Sequence, residues 1–179
     1  MIEITTERLT LKPLGMQYLE TVHAYASDIE NTRFMMFLPN DTIEETIEFL
    51  TYVEEEWKKE RPDAYEFAIL MDGKQVGAVS LTLEEDVGEL GWIVNRKYWR
   101  QGIAYEAAKA LVEYAKAELG VAHFIAHCDA ENAGSYKTME KLGMARTAVN
   151  EGRKNKSSEE ERLEYQYEIL FDYVTEEKE

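Results

Sequence analysis

Cysteine, histidine, proline and basic residues are all scarce in this chain. Its 179 residues include one cysteine, three histidines and three prolines. The lone Cys128 cannot form an internal disulfide and offers no thiolate cluster for structural zinc. His23, His123 and His127 lack a metal-ligand spacing, so no metal site is expected. The opening MIEITTERLTLKP has no basic start followed by an apolar run, which argues against a secretory signal. No uncharged apolar run approaches the ~18 residues of a membrane span. Lys and Arg number 20 against 36 Asp and Glu, a net charge of −16. Such acidity opposes a nucleic-acid partner and suits a cationic one. What is present is a 45% hydrophobic fraction, enough for a core, at a length that fits one domain over 1–179. The expectation is a cytoplasmic, single-domain protein with no membrane or nucleic-acid role.

The charge is uneven. Residues 95–154 hold ten Lys and Arg against seven Asp and Glu, so the remainder carries the whole negative excess. An anionic ligand is expected on 95–154 and a cationic one elsewhere, unless the clustering is only a solvated surface.

Hydropathy patterning predicts the elements. Glu3–Lys12 alternates as a strand ended by Pro13. Met16–Ala26 has helical spacing, and Thr42 to Glu45 is a capping box that opens a helix running to about Glu60. Tyr65–Met71 and Gln75–Leu83 flank an Asp72-Gly73 hairpin turn. Gly88–Val94 is a strand and Gly102–Leu119 a helix closed by Gly120. Phe124–Cys128 is a strand, Ala133–Leu142 a helix, and Ala145–Val149 a short strand. Asn150–Glu161 reads as an exposed loop, and Arg162–Tyr173 as the last strand before a charged tail. The order β-α-α-β-β-β-α-β-α-β-β predicts an α/β (α+β) fold of mixed strand direction with helices on both faces.

The stretch 88–115, GELGWIVNRKYWRQGIAYEAAKALVEYA, reads strand, tight loop, helix. Gly102 permits a backbone conformation that a side chain would block. The first helical turn then presents free N–H groups at the positive end of its dipole, an arrangement that binds phosphate. Arg96, Lys97 and Arg100 add positive charge at the same end. The plain alternative is a glycine turn before a helix. No Gly-x-Gly-x-x-Gly follows the first strand, which argues against a dinucleotide fold.

Trp-Arg-Gln-Gly-Ile-Ala in that context resembles the acetyl-CoA loop of the GNAT N-acetyltransferases, and its surroundings resemble the RimJ/RimL-type branch. The likeness is carried by ITTERLTLKPL, FAILMDGKQVGAVSL, ELGWIVNRKYWRQGIAYEAAKALVEYA and DAENAGSYKTMEKLGM, in that order. Trp99 stands where the wider family has Arg or Gln, a departure familiar in the branch. The resemblance implies a mostly antiparallel mixed sheet, splayed between its fourth and fifth strands, with acetyl-CoA in the cleft. It also implies roles. Backbone groups of Ile93 and Val94 would meet the pantetheine arm, while their side chains pack in the core. Amides of Arg100, Gln101, Gly102, Ile103 and Ala104 would hold the pyrophosphate, with Tyr105 closing the loop. An N–H near Ile93 or Val94 would polarise the thioester carbonyl.

Asn132, Ser135, Tyr136 and Met139 fall at i, i+3, i+4 and i+7 and so share a helix side. Asn132 is either a helix cap alone or a cap that also contacts the pantetheine. Met139 occupies the cofactor-side position where the superfamily often has a tyrosine that protonates the leaving thiolate. Tyr136 and Ser135 are the alternative acids, and unaided departure of the thiolate is the third option. For the base, the resemblance points to Glu89, against a reading as a solvent-facing strand glutamate. Cys128 lies in an apolar strand, where a buried thiol is the expectation rather than an acyl-accepting nucleophile.

The implied function is acetyl transfer from acetyl-CoA to a primary amine by direct transfer in a ternary complex. The acceptor classes are a protein N-terminus, a polyamine, an aminoglycoside or another cationic small molecule. A homodimer is one assembly the branch allows. The competing function, from another class, is a non-catalytic acyl-CoA-binding or sensing module.

Overall fold

The computed structural model describes residues 1–172. The elements run β1 (Ile4–Thr5), β2 (Leu9–Pro13), α1 (Leu19–Ala26), α2 (Ile29–Thr32), α3 (Ile43–Trp57), β3 (Ala64–Met71), β4 (Lys74–Glu84) and β5 (Val87–Val94). After them come α4 (Ile103–Leu119), β6 (His123–Asp129), α5 (Ala133–Lys141), β7 (Ala145–Lys154) and β8 (Glu161–Leu170). Among the described residues the strands form one eight-stranded sheet, ordered β1-β2-β3-β4-β5-β6-β8-β7. Every pairing is antiparallel except β5 with β6.

Local chemistry sets the boundaries. Asp72 and Gly73 both take positive φ, 52° and 75°, which matches the twist of the β3–β4 hairpin. Thr42 and Glu45 make both bonds of the capping box that opens α3. Small residues on α4 (Ala107, Ala108, Ala115) bring it close to Phe67, Ile69, Val79 and Leu81 on one sheet face. The opposite face carries Ala68 and Ala78, under Val22 of α1 and Leu50 and Val53 of α3.

The sheet opens at its centre. β5 and β6 pair only from Val87↔His123 to Leu90↔Ala126. Beyond that point β5 stays on β4 through Val94, while β6 stays on β8 through Asp129. Each strand follows its antiparallel neighbour, and the parallel seam parts. These are the fourth and fifth strands of the sequence-based order.

The expected first strand is two strands, because Thr6 N bonds the Leu9 carbonyl and turns the chain at Thr6–Arg8. A short helix, α2, appears where none was expected, capped by Asp28 accepting from the amides of Glu30 and Asn31. The expected loop Asn150–Glu161 is half strand. β7 continues to Lys154, and Asn155 is only 2% exposed. Its polar sequence hid this, because the buried positions there are filled by paired polar groups. Tyr173 and the tail after it lie outside the described residues.

Candidate active site

The loop between β5 and α4 is wound by its own sequence. Asn95 caps a single tight turn, Arg96–Tyr98, by accepting from Lys97 N at 3.1 Å. Arg100 (φ 62°) and Gly102 (φ 72°) then take left-handed conformations. Their winding turns a run of amides outward. Among the described residues, no backbone N–H from Arg100 to Tyr105 is bonded within the protein, and the first helical amide to find a partner is Glu106, at the Gly102 carbonyl, 3.1 Å away. Six consecutive donors therefore converge at the positive end of α4. The Glu106 side chain fastens that end to the β1–β2 turn through Thr6 Oγ1 (2.7 Å) and Arg8 Nε (2.7 Å). Arg96 is bound to Asp28 at 2.6 Å, whereas Lys97 and Arg100 make no ion pair among the described residues. Tyr105, on the first turn, lies under the Lys141 ammonium, 4.2 Å from its ring centre.

Beside this end, the parted strands open into a cavity of about 810 Å³. Cys128, Asn132, Ser135 and Met139 form the wall on β6 and α5. Val22, Tyr25, Phe34, Phe37 and Phe49 form the opposite, apolar wall. Ala78, Ser80, Glu89 and Ile93 lie on the sheet between them. Phe37, 84% exposed, stands at the mouth.

The peptide groups of β5 alternate in direction. A Cβ on Gly77 of β4 would lie 2.2 Å from the Ile93 carbonyl, and Asn95 N donates to Val76 O at 2.8 Å, so both groups face β4. Trp92 and Val94 turn the other way, toward the gap. The Val94 carbonyl there accepts from Trp99 Nε1 (2.8 Å) and Asn31 Nδ2 (3.2 Å). Ile93 brings a side chain to the cavity rather than a free peptide group.

Three carboxyl groups line the cavity. Glu89 meets His127 Nδ1 at 2.7 Å, and His127 Nε2 meets Gln166 Oε1 at 3.2 Å. The Glu89 bond outweighs burial and holds the His127 pKa above its ordinary value, as expected for a ring with acceptors at both nitrogens. Glu164 meets Arg153 Nη1 at 2.7 Å, and Arg153 Nη2 also donates to the Phe34 carbonyl at 2.8 Å, tying the apolar loop to the sheet. Glu66 differs: its side chain has no hydrogen bond or ion pair among the described residues, and burial pushes its carboxyl up to about 8. The residue is half-buried and lines the cavity.

Four of the sequence-derived candidates, Glu89, Asn132, Ser135 and Met139, come together on the cavity wall with Ile93. Asn132 Oδ1 caps α5 by accepting from Ser135 N at 3.3 Å, and its Nδ2 has no partner among the described residues. Ser135 lies beside the Cys128 thiol, whose pKa burial raises to about 11. Tyr136 is off the wall and packs edge-on against Tyr165, with ring centres 5.7 Å apart. Sequence reasoning missed Glu66, His127, Arg153 and Glu164. Only Glu66 left a readable signal, as the one charged residue of the apolar strand AYEFAILM.

Comparison with known proteins agrees with this geometry. A family model for the acetyltransferase (GNAT) domain matches residues 8–145. The uncharacterized N-acetyltransferase YnaD of Bacillus subtilis is 30% identical over 151 residues, covering 81% of this chain and 84% of its own length. A GNAT-family acetyltransferase structure from Bacillus anthracis superposes with a TM-score of 0.80 at 30% identity, over 94% of this chain and 98% of that one. RimL, a ribosomal L7/L12 alpha-N-protein acetyltransferase solved with coenzyme A, has the same fold at a TM-score of 0.82 and 15% identity, over 96% and 99% of the two chains. The domain match and the aligned relatives run across the parted strands and the amide-lined loop alike, and the chain belongs to the GNAT family of acetyltransferases, with the RimJ/RimL-type fold.

Proposed function

We propose that residues 1–179 form one transferase unit that moves the acetyl group of acetyl-CoA to a primary amine in a ternary complex. The observation that carries this reading is the run of six unbonded amides, Arg100 to Tyr105, at the start of the helix that follows β5, the strand that parts from β6. GNAT acetyltransferases use acetyl-CoA, and a diphosphate suits such a run of donors. Lys97 and Arg100 add charge beside it. The pantetheine arm would lie along the β5 edge, between Val94 and Asn132. The N–H groups of Trp92 and Val94 face that gap, and one of them would stabilise the negative charge that develops on the thioester oxygen.

The nitrogen must be neutral to attack, and an alkylammonium has a pKa near about 10.4. Glu89 takes the proton, directly or through water. Its bond to His127 fixes the carboxylate at the seam, and one of its oxygens remains exposed toward the cavity. The C–N bond forms as the C–S bond breaks, and the sulfur leaves toward Ser135. With Met139 in the usual acid position and Tyr136 turned to Tyr165, Ser135 is the hydroxyl on the wall near the thiol path. The net charge of −16 favours a cationic acceptor.

The lack of a tyrosine acid at 139 also favours a second reading, a module that binds acyl-CoA without chemistry. One experiment separates the two: coenzyme A calorimetry beside thiol release over a broad amine panel. Binding with thiol release supports the transferase, and binding with no release from any amine supports the module. No binding at all removes both.

A further inference from the structure

The cavity's three carboxyl groups are not equivalent. Glu89 is hydrogen-bonded to His127 and Glu164 is paired with Arg153, so each already has a partner in the protein. Glu66 has no partner among the described residues. Tyr25 of α1 and Tyr52 of α3 both have raised pKa values, chiefly through burial, with the charge of Glu66 adding to each. The Tyr25 hydroxyl accepts from Gln75 Nε2 at 3.0 Å, and no hydrogen bond joins it to Glu66 among the described residues. Val22, Ala26 and Phe49 line the same cavity, and Ser80 is the neighbour of Glu66 in register. Its carboxyl is therefore open to the cavity, where water or a donor group of a ligand can reach it.

The sheet register gives the distance. Glu66 pairs with Ser80, and Ser80 with Gly91, so the three positions lie side by side on one sheet face. Two strand spacings separate Glu66 from the parted edge of β5, on the order of 10 Å. That is too far for Glu66 to take a proton from a nitrogen attacking at the edge. It is a fitting distance for the far end of an extended small molecule whose near end reacts. The ground between Glu66 and Gly91 is Ser80 and Ala78 below and aromatic side chains above, which suits a methylene spacer.

We propose that the acceptor is a bifunctional amine: one amine reacts at the β5 edge while a second, cationic amine is bound by Glu66 two strands away across the cavity floor, with an apolar spacer between them. This inference rests on the transferase reading. Docking of the second ammonium supplies charge-assisted hydrogen bonds to the one unmatched carboxyl, and the proton that Glu66 holds near neutral pH passes to solvent. The other two carboxylates are less suited to this end, because each already has a partner in the protein.

The test uses the full chain with acetyl-CoA and reads thiol release. The acceptors are α,ω-diamines graded from propane to octane backbones, each beside the monoamine of the same chain length. The wild type is expected to favour one diamine length over its monoamine by about tenfold or more in kcat/KM, the scale of one charged hydrogen bond. In Glu66→Ala and Glu66→Gln that ratio falls by about the same factor, while coenzyme A affinity, read by calorimetry, reports that the variant is folded. If Glu66→Ala loses that affinity, the isosteric Glu66→Gln decides. Equal use of monoamines and diamines by the wild type overturns the inference, as does an unchanged ratio in the variants, and either result leaves the transferase standing. Silence across the whole panel despite coenzyme A binding refutes the transferase reading itself, and this inference with it.

Discussion

Replacing Glu66 by Gln isolates one buried carboxyl and yields a signed, pH-dependent prediction. In the unfolded chain the group titrates near 4.5, and in the folded chain burial raises it to about 8. Between these values the folded protein holds a proton that the unfolded chain has released. Folded stability therefore falls as pH rises through this window, and the loss is complete above about pH 8. A rise of that size corresponds to ~5 kcal/mol as an upper bound. The cavity admits water beside the carboxyl, so we expect roughly half of that to appear. Gln keeps the shape and removes the titration. For a domain of this length each kcal/mol moves the melting temperature by about 2–4 °C. Glu66→Gln should therefore gain roughly 5–10 °C on the wild type between pH 5 and pH 9. The assay is calorimetric melting of both proteins across that range without acceptor. The neighbouring phenols Tyr25 and Tyr52 titrate above the window, and the His127–Glu89 pair is common to both proteins, so both cancel. Parallel melting curves at every pH would refute the reasoning.

Gly102→Val should weaken coenzyme A by about tenfold or more in calorimetry. The nearest atom to a new Cβ is 3.7 Å away, so the cost comes from the left-handed backbone at φ 72°, about 1–2 kcal/mol, and from the re-aimed amides. Glu89→Gln should lower the His127 pKa, read as an NMR titration of the imidazole. The raised pKa of His127 means that the pair stabilises the fold below the imidazole's unfolded pKa, and that this contribution disappears as pH rises through the folded value. The variant should lose that slope. Ser135→Ala should cut kcat by about a hundredfold with little change in KM if the hydroxyl protonates the leaving sulfur; an unaltered kcat would mean that the thiolate leaves unaided. Arg162→Ala should cost about 3 kcal/mol in denaturant unfolding, because it strips the 2.7 Å ion pair from Asp129, which is 1% exposed.

What the sequence made legible is what a few consecutive residues decide. The Thr42–Glu45 box, the Asp72-Gly73 turn and the Gly102 entry to α4 each depend on neighbours within four positions, and each formed as expected. The β7 extension did not show, because its buried members are polar and their partners are distant. Arg153 is satisfied by Glu164 on β8, and Asn155 by Asp129 at 2.7 Å. Each would be costly to bury alone, and neither pairing is written in local hydropathy.

The same division explains the site. The run of unbonded amides at the start of α4 is contiguous, so its residues were named from the sequence. The cavity's charges are not contiguous. His127 reaches Glu89 only because a helical crossover of α4 returns β6 parallel to β5, bringing together residues 38 positions apart. Tyr136 shows the reverse error. Spacing of three and four places residues on one side of a helix, but that side is a wide arc. Packing against Tyr165 turned Tyr136 to the core edge and left Ser135 and Met139 on the wall. Glu66 was the costliest omission, since a lone carboxylate in an otherwise apolar strand is a burial that folding alone does not favour. Two of the cavity's carboxylates answer partners on β6 and β7, and the third answers nothing among the described residues. In an acetyltransferase whose acceptor must be a base, that imbalance points to the ligand rather than to the fold.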